Sequence, residues 1–160
     1  MPGDVNATDE IVLDTNVVVS AMLNPGGAPG SILRAVLDGS FQLLVDNRIA
    51  FEYSDGLRLP ELRLDSADVQ AFLDFVKHEA EYVTASPVGY RFEDPDDLPF
   101  YEVAKGGNAE YLVTGNRQHF PEESIIKVWL VERLKAEAAG HPRMGGSWPT
   151  RHLAEKPASQ

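Results

Sequence analysis

The sequence predicts an α/β fold, a layered sandwich of helices around a mainly parallel sheet. Three observations carry that prediction. Short apolar runs stand at Ile11–Leu13, Phe41–Val45 and Tyr111–Thr114, each bounded by polar or turn residues as buried strands are. Between them lie segments whose apolar residues recur at three- and four-residue spacing, the pattern of helices buried along one face. The two kinds of segment alternate along the chain, and strands separated by helices pair in parallel. Hydrophobic residues make up 43% and charged residues 24% of the 160, which suits one globular domain rather than a disordered chain.

The elements follow in order. Ile11-Val12-Leu13 reads as a buried strand ending at Asp14, and the apolar segment Val17–Leu23 after it is broken by Asn24-Pro25-Gly26-Gly27. Ser31–Leu37 carries Ile32, Leu33, Val36 and Leu37 at helical spacing and closes at Asp38-Gly39. Phe41–Val45 is the second strand. Asp46 can cap a helix whose apolar face is Ile49, Ala50, Tyr53 and Leu57, ended at Pro60. Asp65-Ser66-Ala67-Asp68 opens another helix, with Val69, Phe72, Leu73 and Val76 on one face. Tyr82-Val83 is a candidate short strand. Asp96 or Asp97 opens a helix with Phe100, Tyr101 and Ala104, which Gly106-Gly107 ends. Tyr111–Thr114 is a strand that stops in a Gly turn. Ile125–Val128 is expected as a last strand and Leu130–Ala139 as a last helix.

Charge divides the chain. Fourteen basic against 25 acidic residues leave a net charge of −11. Residues 140–160 are rich in Gly, Pro, Ser and His and hold Arg143, Arg151 and Lys156 against Glu155, a local charge of +2 that leaves −13 for residues 1–139. We read residues 1–10 as a short leader, 11–139 as the folded domain and 140–160 as a flexible basic tail. Acidity of this size argues against a broad basic surface that grips nucleic acid by charge alone. It leaves room for a metal-dependent enzyme, because the ligands of hard cations are themselves carboxylates. The chain has no cysteine, which excludes disulfides, zinc–thiolate sites, iron–sulfur clusters and thiol catalysis. Val17-Val18-Val19 is far short of a membrane span of roughly 20 residues. The first ten residues carry acids and no base, unlike a signal peptide. These features fit a cytoplasmic protein with no membrane partner.

Four acidic or polar stations have the spacing of a site. Two strands stop at polar groups, Asp14-Thr15-Asn16 and Thr114-Gly115-Asn116, and parallel central strands would bring both to one sheet edge. Asp94-Pro95-Asp96-Asp97 lies at a helix start, and Glu52 flanks the apolar face of the helix after Asp46. Clustered carboxylates repel unless a cation neutralises them, and Mg²⁺ or Mn²⁺ held by a few carboxylates can assist attack on a phosphodiester. Each residue also has a plain structural role. Asp14 could satisfy donors at a strand-to-helix turn, Asp96 or Asp97 could be a helix cap, Glu52 a solvated helix acid and Asn116 a turn residue. The joint pattern raises the functional reading above these, and no single residue does. His119 and the other histidines have no metal-ligand spacing and read as surface groups.

The ordered set resembles the PIN-domain family, in the group of toxin components of toxin–antitoxin systems. The matching segments run from Ile11 to Ser20, through Asn24-Pro25-Gly26-Gly27 and Phe51-Glu52-Tyr53, to Asp94-Pro95-Asp96-Asp97 with Phe100. They end with Tyr111-Leu112-Val113-Thr114-Gly115-Asn116 and His119-Phe120-Pro121. The resemblance implies a Rossmann-like three-layer α/β/α sandwich with a mainly parallel central sheet. It also implies ribonuclease chemistry with Mg²⁺ or Mn²⁺ as cofactor. Carried over by position, Asp14, Glu52 and Asp97 match the family's metal-binding and catalytic acids, the last because it stands three residues before Phe100. Asn116 falls where many members carry a fourth acid; its carbonyl oxygen can ligate a metal or its water but adds no charge, so one ion or two both stay open. Asp94, Asp96 and Thr114 are auxiliary candidates. Leu98-Pro99 before Phe100 and Gly56 within the Glu52 helix depart from the family's usual residues.

The partners implied by the resemblance are an RNA substrate, an antitoxin protein and a second copy in a homodimer. Arg34, Arg48, Arg58, Arg63 and Arg117 are candidate RNA contacts, with Arg143, Arg151 and Lys156 of the tail. A non-catalytic PIN module acting as a partner-binding or regulatory subunit is the alternative, motivated by Asn116 and the −13 body. Phosphotransfer through Asp14 fits poorly, because Thr15-Asn16 follows it in place of an Asp-X-Asp pattern.

Overall fold

The structure, a computed structural model, describes residues 8–89, 92 and 94–115, and the backbone of 127–130. β1 (Asp9–Leu13) is followed by α1 (Thr15–Leu23), α2 (Ala28–Leu37) and β2 (Phe41–Val45). Next come α3 (Asn47–Leu57), a 3₁₀ turn at Pro60–Leu62, α4 (Ser66–Glu79) and β3 (Glu81–Tyr82). A second 3₁₀ turn at Pro95–Asp97 leads into α5 (Leu98–Gly106), then β4 (Tyr111–Thr114) and β5 (Lys127–Leu130). The expected tail and the expected helix beyond Leu130 lie outside the described residues.

The five strands lie in the order β3-β2-β1-β4-β5 and every pairing is parallel. The chain moves from β1 to β2 to β3 on one side, then crosses back to β4 on the other side of β1. Right-handed crossovers therefore put α1–α4 on one face and α5 on the other, a Rossmann-like α/β/α sandwich. The central strand reports both layers. Ile11, Val12 and Leu13 are completely buried, which needs cover on both faces of the sheet. Leu43–Val45 and Leu112–Val113 continue this core, with Tyr53, Phe72, Phe100 and Tyr101 packed on it.

Several element ends differ from the sequence expectation, each for a local reason. β1 begins at Asp9, because pairing with Phe41 and Gln42 extends it past the point where apolar residues mark it. α2 begins at Ala28 rather than Ser31: Pro29 and Gly30 look like breakers, yet proline is tolerated in a first helical turn. Gly30 is needed there. A Cβ on it would stand 2.1 Å from the carbonyl oxygen of Pro25, so the Pro25 turn can fold back only over glycine. β3 is Glu81–Tyr82, and Val83 still donates its N–H to the Val45 carbonyl at 2.9 Å. β5 is Lys127–Leu130, two residues later than expected at each end. Leu130 pairs with Thr114 and so ends a strand instead of opening a helix.

The capping prediction holds for Asp46, and within the expected helix start Asp65-Ser66-Ala67-Asp68 the capping residue is Asp65. Asp46 accepts from the Ile49 N–H at 3.0 Å, and Asp65 from the Ala67 N–H at 2.7 Å. At the third site the capping side chain is Asp94, which accepts from the Asp96 N–H at 3.0 Å. Asp97 immediately precedes α5 but its side chain does not cap it. Among the described residues, no helix is long and apolar enough to cross a membrane.

Candidate active site

In an open parallel sheet, ligands bind beyond the carboxyl ends of the strands, where neighbouring connections leave in opposite directions. Here that point lies between β1 and β4. Asp14 follows β1 and Thr114 ends β4, so the strand order brings together residues 100 apart in sequence. The Asp14 N–H donates to the Val113 carbonyl at 3.0 Å, continuing the β1–β4 pairing by one residue. The Thr114 hydroxyl donates to Asp14 Oδ2 at 2.8 Å. Asp14 also opens α1, accepting from the Asn16 N–H at a long 3.4 Å. Asp14 thus satisfies the turn and also reaches β4, and the shorter bond is the one to Thr114. Only 6% of Asp14 is exposed. A carboxylate that buried is stabilised by its hydrogen bonds and by the positive end of the α1 dipole.

Behind Asp14 stands Tyr53 of α3. Its hydroxyl donates to the Leu13 carbonyl at 2.7 Å and its ring packs edge-on against Phe72. Complete burial, and after it the nearby Asp14 charge, push the Tyr53 hydroxyl well above its ordinary pKa, so it stays protonated as a donor. The sequence marks Tyr53 on an apolar helix face and within the Phe51-Glu52-Tyr53 segment, but neither shows what its hydroxyl meets. Its hydroxyl ties the Glu52 helix to the end of β1.

Glu52 is half-buried on α3, at the flank its spacing predicts. Burial first, then the charges of Asp96, Asp14, Asp55 and Asp94, raise its pKa above the usual carboxylate value. That order of causes locates it. Glu52 shares one field with Asp14 from β1 and with Asp94 and Asp96 from the turn before α5. Asp94 and Asp96 are exposed, whereas Asp97 is 8% exposed at the foot of α5. Asn116 lies outside the described residues; Gly115 is the last residue described before it. Gly56, one turn along α3 from Glu52, faces Thr15: a Cβ there would stand 3.1 Å from the Thr15 Cγ2. The departure from a better helix former at Gly56 thus permits close approach of α3 to the start of α1.

The donor chemistry of this neighbourhood is all oxygen: carboxylates and the Thr114 hydroxyl. It suits a hard divalent cation and not a soft one. Among the described residues no group of three or more His, Asp or Glu side chains is arranged to hold a metal ion. A preformed protein cage is therefore absent there. Mg²⁺ does not need one, since it is commonly bound through one or two carboxylates with waters and substrate phosphates completing its shell. The mutual repulsion that raises Glu52 is what a cation would relieve.

One buried acid escapes the sequence reading. Glu102 of α5 is 5% exposed and sits in the run Phe100–Ala104, otherwise apolar and all of it buried. A lone carboxylate inside a buried run needs a partner, and that was the signal available. The partner is Arg48, whose Nη1 donates to Glu102 Oε1 at 2.8 Å and whose Nη2 lies 2.8 Å from Asp46 Oδ2. Burial works against the Arg48 charge, but the bonds to Asp46 and Glu102 outweigh it and hold its pKa above the ordinary value. Arg48 is thus engaged in ion pairs with Asp46 and Glu102. Arg58 likewise reaches Ser54 and Gln70, and Arg34 keeps its Nε buried without a hydrogen-bond partner. Arg117, Arg143, Arg151 and Lys156 lie outside the described residues.

Sheet order, layers and the polar edge between β1 and β4 define a Rossmann-like α/β protein with acidic side chains near its switch point. The description of the PIN domain matches residues 10–118, and the chain belongs to the PIN-domain family. That fold is of nuclease type. No curated protein and no solved structure matches the chain.

Proposed function

We propose that this PIN-domain protein is a Mg²⁺- or Mn²⁺-dependent endoribonuclease that hydrolyses RNA phosphodiester bonds in the cytoplasm, as the toxin of a toxin–antitoxin pair. The observation that carries the reading is the meeting of Asp14 and Thr114 at the β1–β4 edge, with Glu52 in the shared field of Asp14, Asp94 and Asp96. A nuclease-type fold with acids at its switch point is suited to phosphoester hydrolysis.

In this reading Asp14 and Asp97 would hold the cation, Glu52 would complete its shell or orient a water, and the Thr114 hydroxyl, by donating to Oδ2, keeps Asp14 in one orientation. When bound, the ion supplies charge stabilisation at the phosphodiester and a more acidic water. The Glu52 carboxylate, in the field of the Asp14 side chain, would accept a proton from the attacking water. The water oxygen would bond to phosphorus as the phosphorus–ester oxygen bond breaks, and the leaving oxygen would take a proton from solvent while Glu52 returns the one it accepted. Asn116 would contribute a neutral oxygen, with Asp94 and Asp96 as outer acids. An antitoxin presenting an arginine to these carboxylates would occupy the same site, and a homodimer is the expected assembly. The toxin role and these partners rest on the resemblance alone.

The test is RNA cleavage with Mg²⁺ or Mn²⁺ by the wild type and by Asp14→Asn. Cleavage should fall by about 10²-fold or more in the variant, the scale of losing a residue that acts on the transition state. Equal rates would overturn the proposal.

A second reading, a non-catalytic PIN module that binds a partner, is favoured by the lack of a three-residue metal group among the described residues and by the neutral Asn116. Calorimetry with Mn²⁺ separates the two. Tight binding that depends on Asp97 speaks for the nuclease, and no binding by the wild type speaks for the module.

A further inference from the structure

Glu102 and Arg48 have no part in the chemistry just described, yet they join two of the three segments that carry its acids, α3 and the turn before α5. Glu102 lies on α5, the helix that Asp97 precedes. Its Oε2 accepts from the Val88 N–H at 3.0 Å, on the connection that leads to Asp94. Its Oε1 accepts from Arg48 Nη1 at 2.8 Å, across 54 residues of sequence. Arg48 in turn donates through Nε to Asp46 Oδ2 at 2.9 Å, and Asp46 caps α3, the helix that carries Glu52. A ring contact between Phe92 and Tyr101, 5.6 Å between centroids, pins the same connection to α5 a second time.

We infer that the Asp46–Arg48–Glu102–Val88 chain is a positioning clamp that sets the segment bearing Asp94, Asp96 and Asp97 against Glu52, so that Glu102 and Arg48 tune the acidic site without touching the ion or the RNA. Its geometry supports that role better than a role in stability alone. Glu102 spends one oxygen on α3 and the other on the connection, so each oxygen holds a different carrier of the acids. Arg48 keeps 46% of its side chain exposed against 7% for Glu102, so its loss would leave a buried carboxylate unpaired, and the test therefore reads local positioning separately from overall folding. Outer groups that orient metal ligands commonly change metal affinity by about 10–100-fold when removed.

The inference rests on the nuclease reading for its metal consequence and not for its structural one, and the experiment separates them. Amide hydrogen exchange and Mn²⁺ calorimetry are run on the full chain for wild type, Glu102→Gln, Arg48→Met, Arg48→Lys and the Glu102→Gln/Arg48→Met double variant. Circular dichroism checks that each folds. Glu102→Gln keeps the shape and removes the charge; Arg48→Met breaks the clamp from its exposed end, should the buried variant fold poorly. Without metal, exchange at Val88, Asp96 and Asp97 should quicken by about tenfold in both single variants, with β1 and β2 amides unchanged. Mn²⁺ affinity should fall by about tenfold, the double variant should lose no more than a single one, and Arg48→Lys should recover part of the loss. Unchanged exchange in the folded variants overturns the clamp. So does quicker exchange with wild-type Mn²⁺ affinity. Quicker exchange in a protein whose wild type binds no Mn²⁺ upholds the clamp and removes the metal reading instead.

Discussion

Glu52 is where the acidity of this chain is felt by a single side chain. Its carboxyl stands above the ordinary value of 4.5 because it is partly buried and because Asp96, Asp14, Asp55 and Asp94 surround it. The folded state therefore holds its proton more tightly than the unfolded chain does. The sign follows from linkage. The contribution to stability is fully present below the unfolded pKa and is lost as pH rises through the raised, folded one. At neutral pH ionised Glu52 thus opposes folding, and Glu52→Gln should raise the melting temperature at pH 7 by about 1–2 °C. The gain should disappear as pH falls below the ordinary carboxylate value, where wild type is neutral too. Thermal melts at both pH values decide it, and an unchanged melt at pH 7 would mean that the neighbouring acids act too weakly to matter. Asp14 differs from Glu52 in having a donor built for it, the Thr114 hydroxyl.

At the scale of elements, two glycines separate propensity from packing. Both sit inside helices, where alanine is preferred by about 1 kcal/mol. At Gly30 the added Cβ would lie 2.1 Å from the Pro25 carbonyl oxygen, a backbone atom that cannot step aside. Overpacking then outweighs propensity, and Gly30→Ala should cost about 3 kcal/mol and lower the melting temperature by about 6–12 °C. At Gly56 the Cβ would meet the Thr15 methyl at 3.1 Å, a contact that a shift of a few tenths of an ångström relieves. Gly56→Ala should stay within about 1 kcal/mol of wild type, because contact and propensity are of similar size. Denaturant melts of the pair test the contrast, and equal effects would contradict it. The turn before α5 shows the same principle for caps. Asp94 takes the capping bond, so Asp97 enters α5 without that duty and lies buried at its foot.

For the whole molecule, the net charge of −11 bears on the proposed metal dependence, which a thermal melt can test. A cation that binds only the folded state stabilises it by mass action, by about 2.7 kcal/mol at 100 times its dissociation constant. Mn²⁺ at that level should raise the wild-type melting temperature by about 5–11 °C and that of Asp14→Asn by much less. A melt indifferent to Mn²⁺ would remove the metal from the proposed function. The same charge limits contact with phosphate chains, so RNA affinity should be weak without the ion.

Much of this was legible in the order of residues alone. The strands at Ile11–Leu13, Phe41–Val45 and Tyr111–Thr114 and the helices capped by Asp46 and Asp65 declare themselves, because their periods and caps are local. So was the family, through the ordered segments that resemble it. The limits of α2 and β5 were not legible, since Pro29-Gly30 mimics a break and the β5 register depends on pairing with β4. Nor were the contacts between distant residues: Thr114 with Asp14, 100 positions apart, and Arg48 with Glu102, 54 apart. Local sequence sets which segments are helix or strand, through backbone preference and apolar period. Which side chains meet depends on the strand order β3-β2-β1-β4-β5, and that order is decided only when the whole core is buried at once.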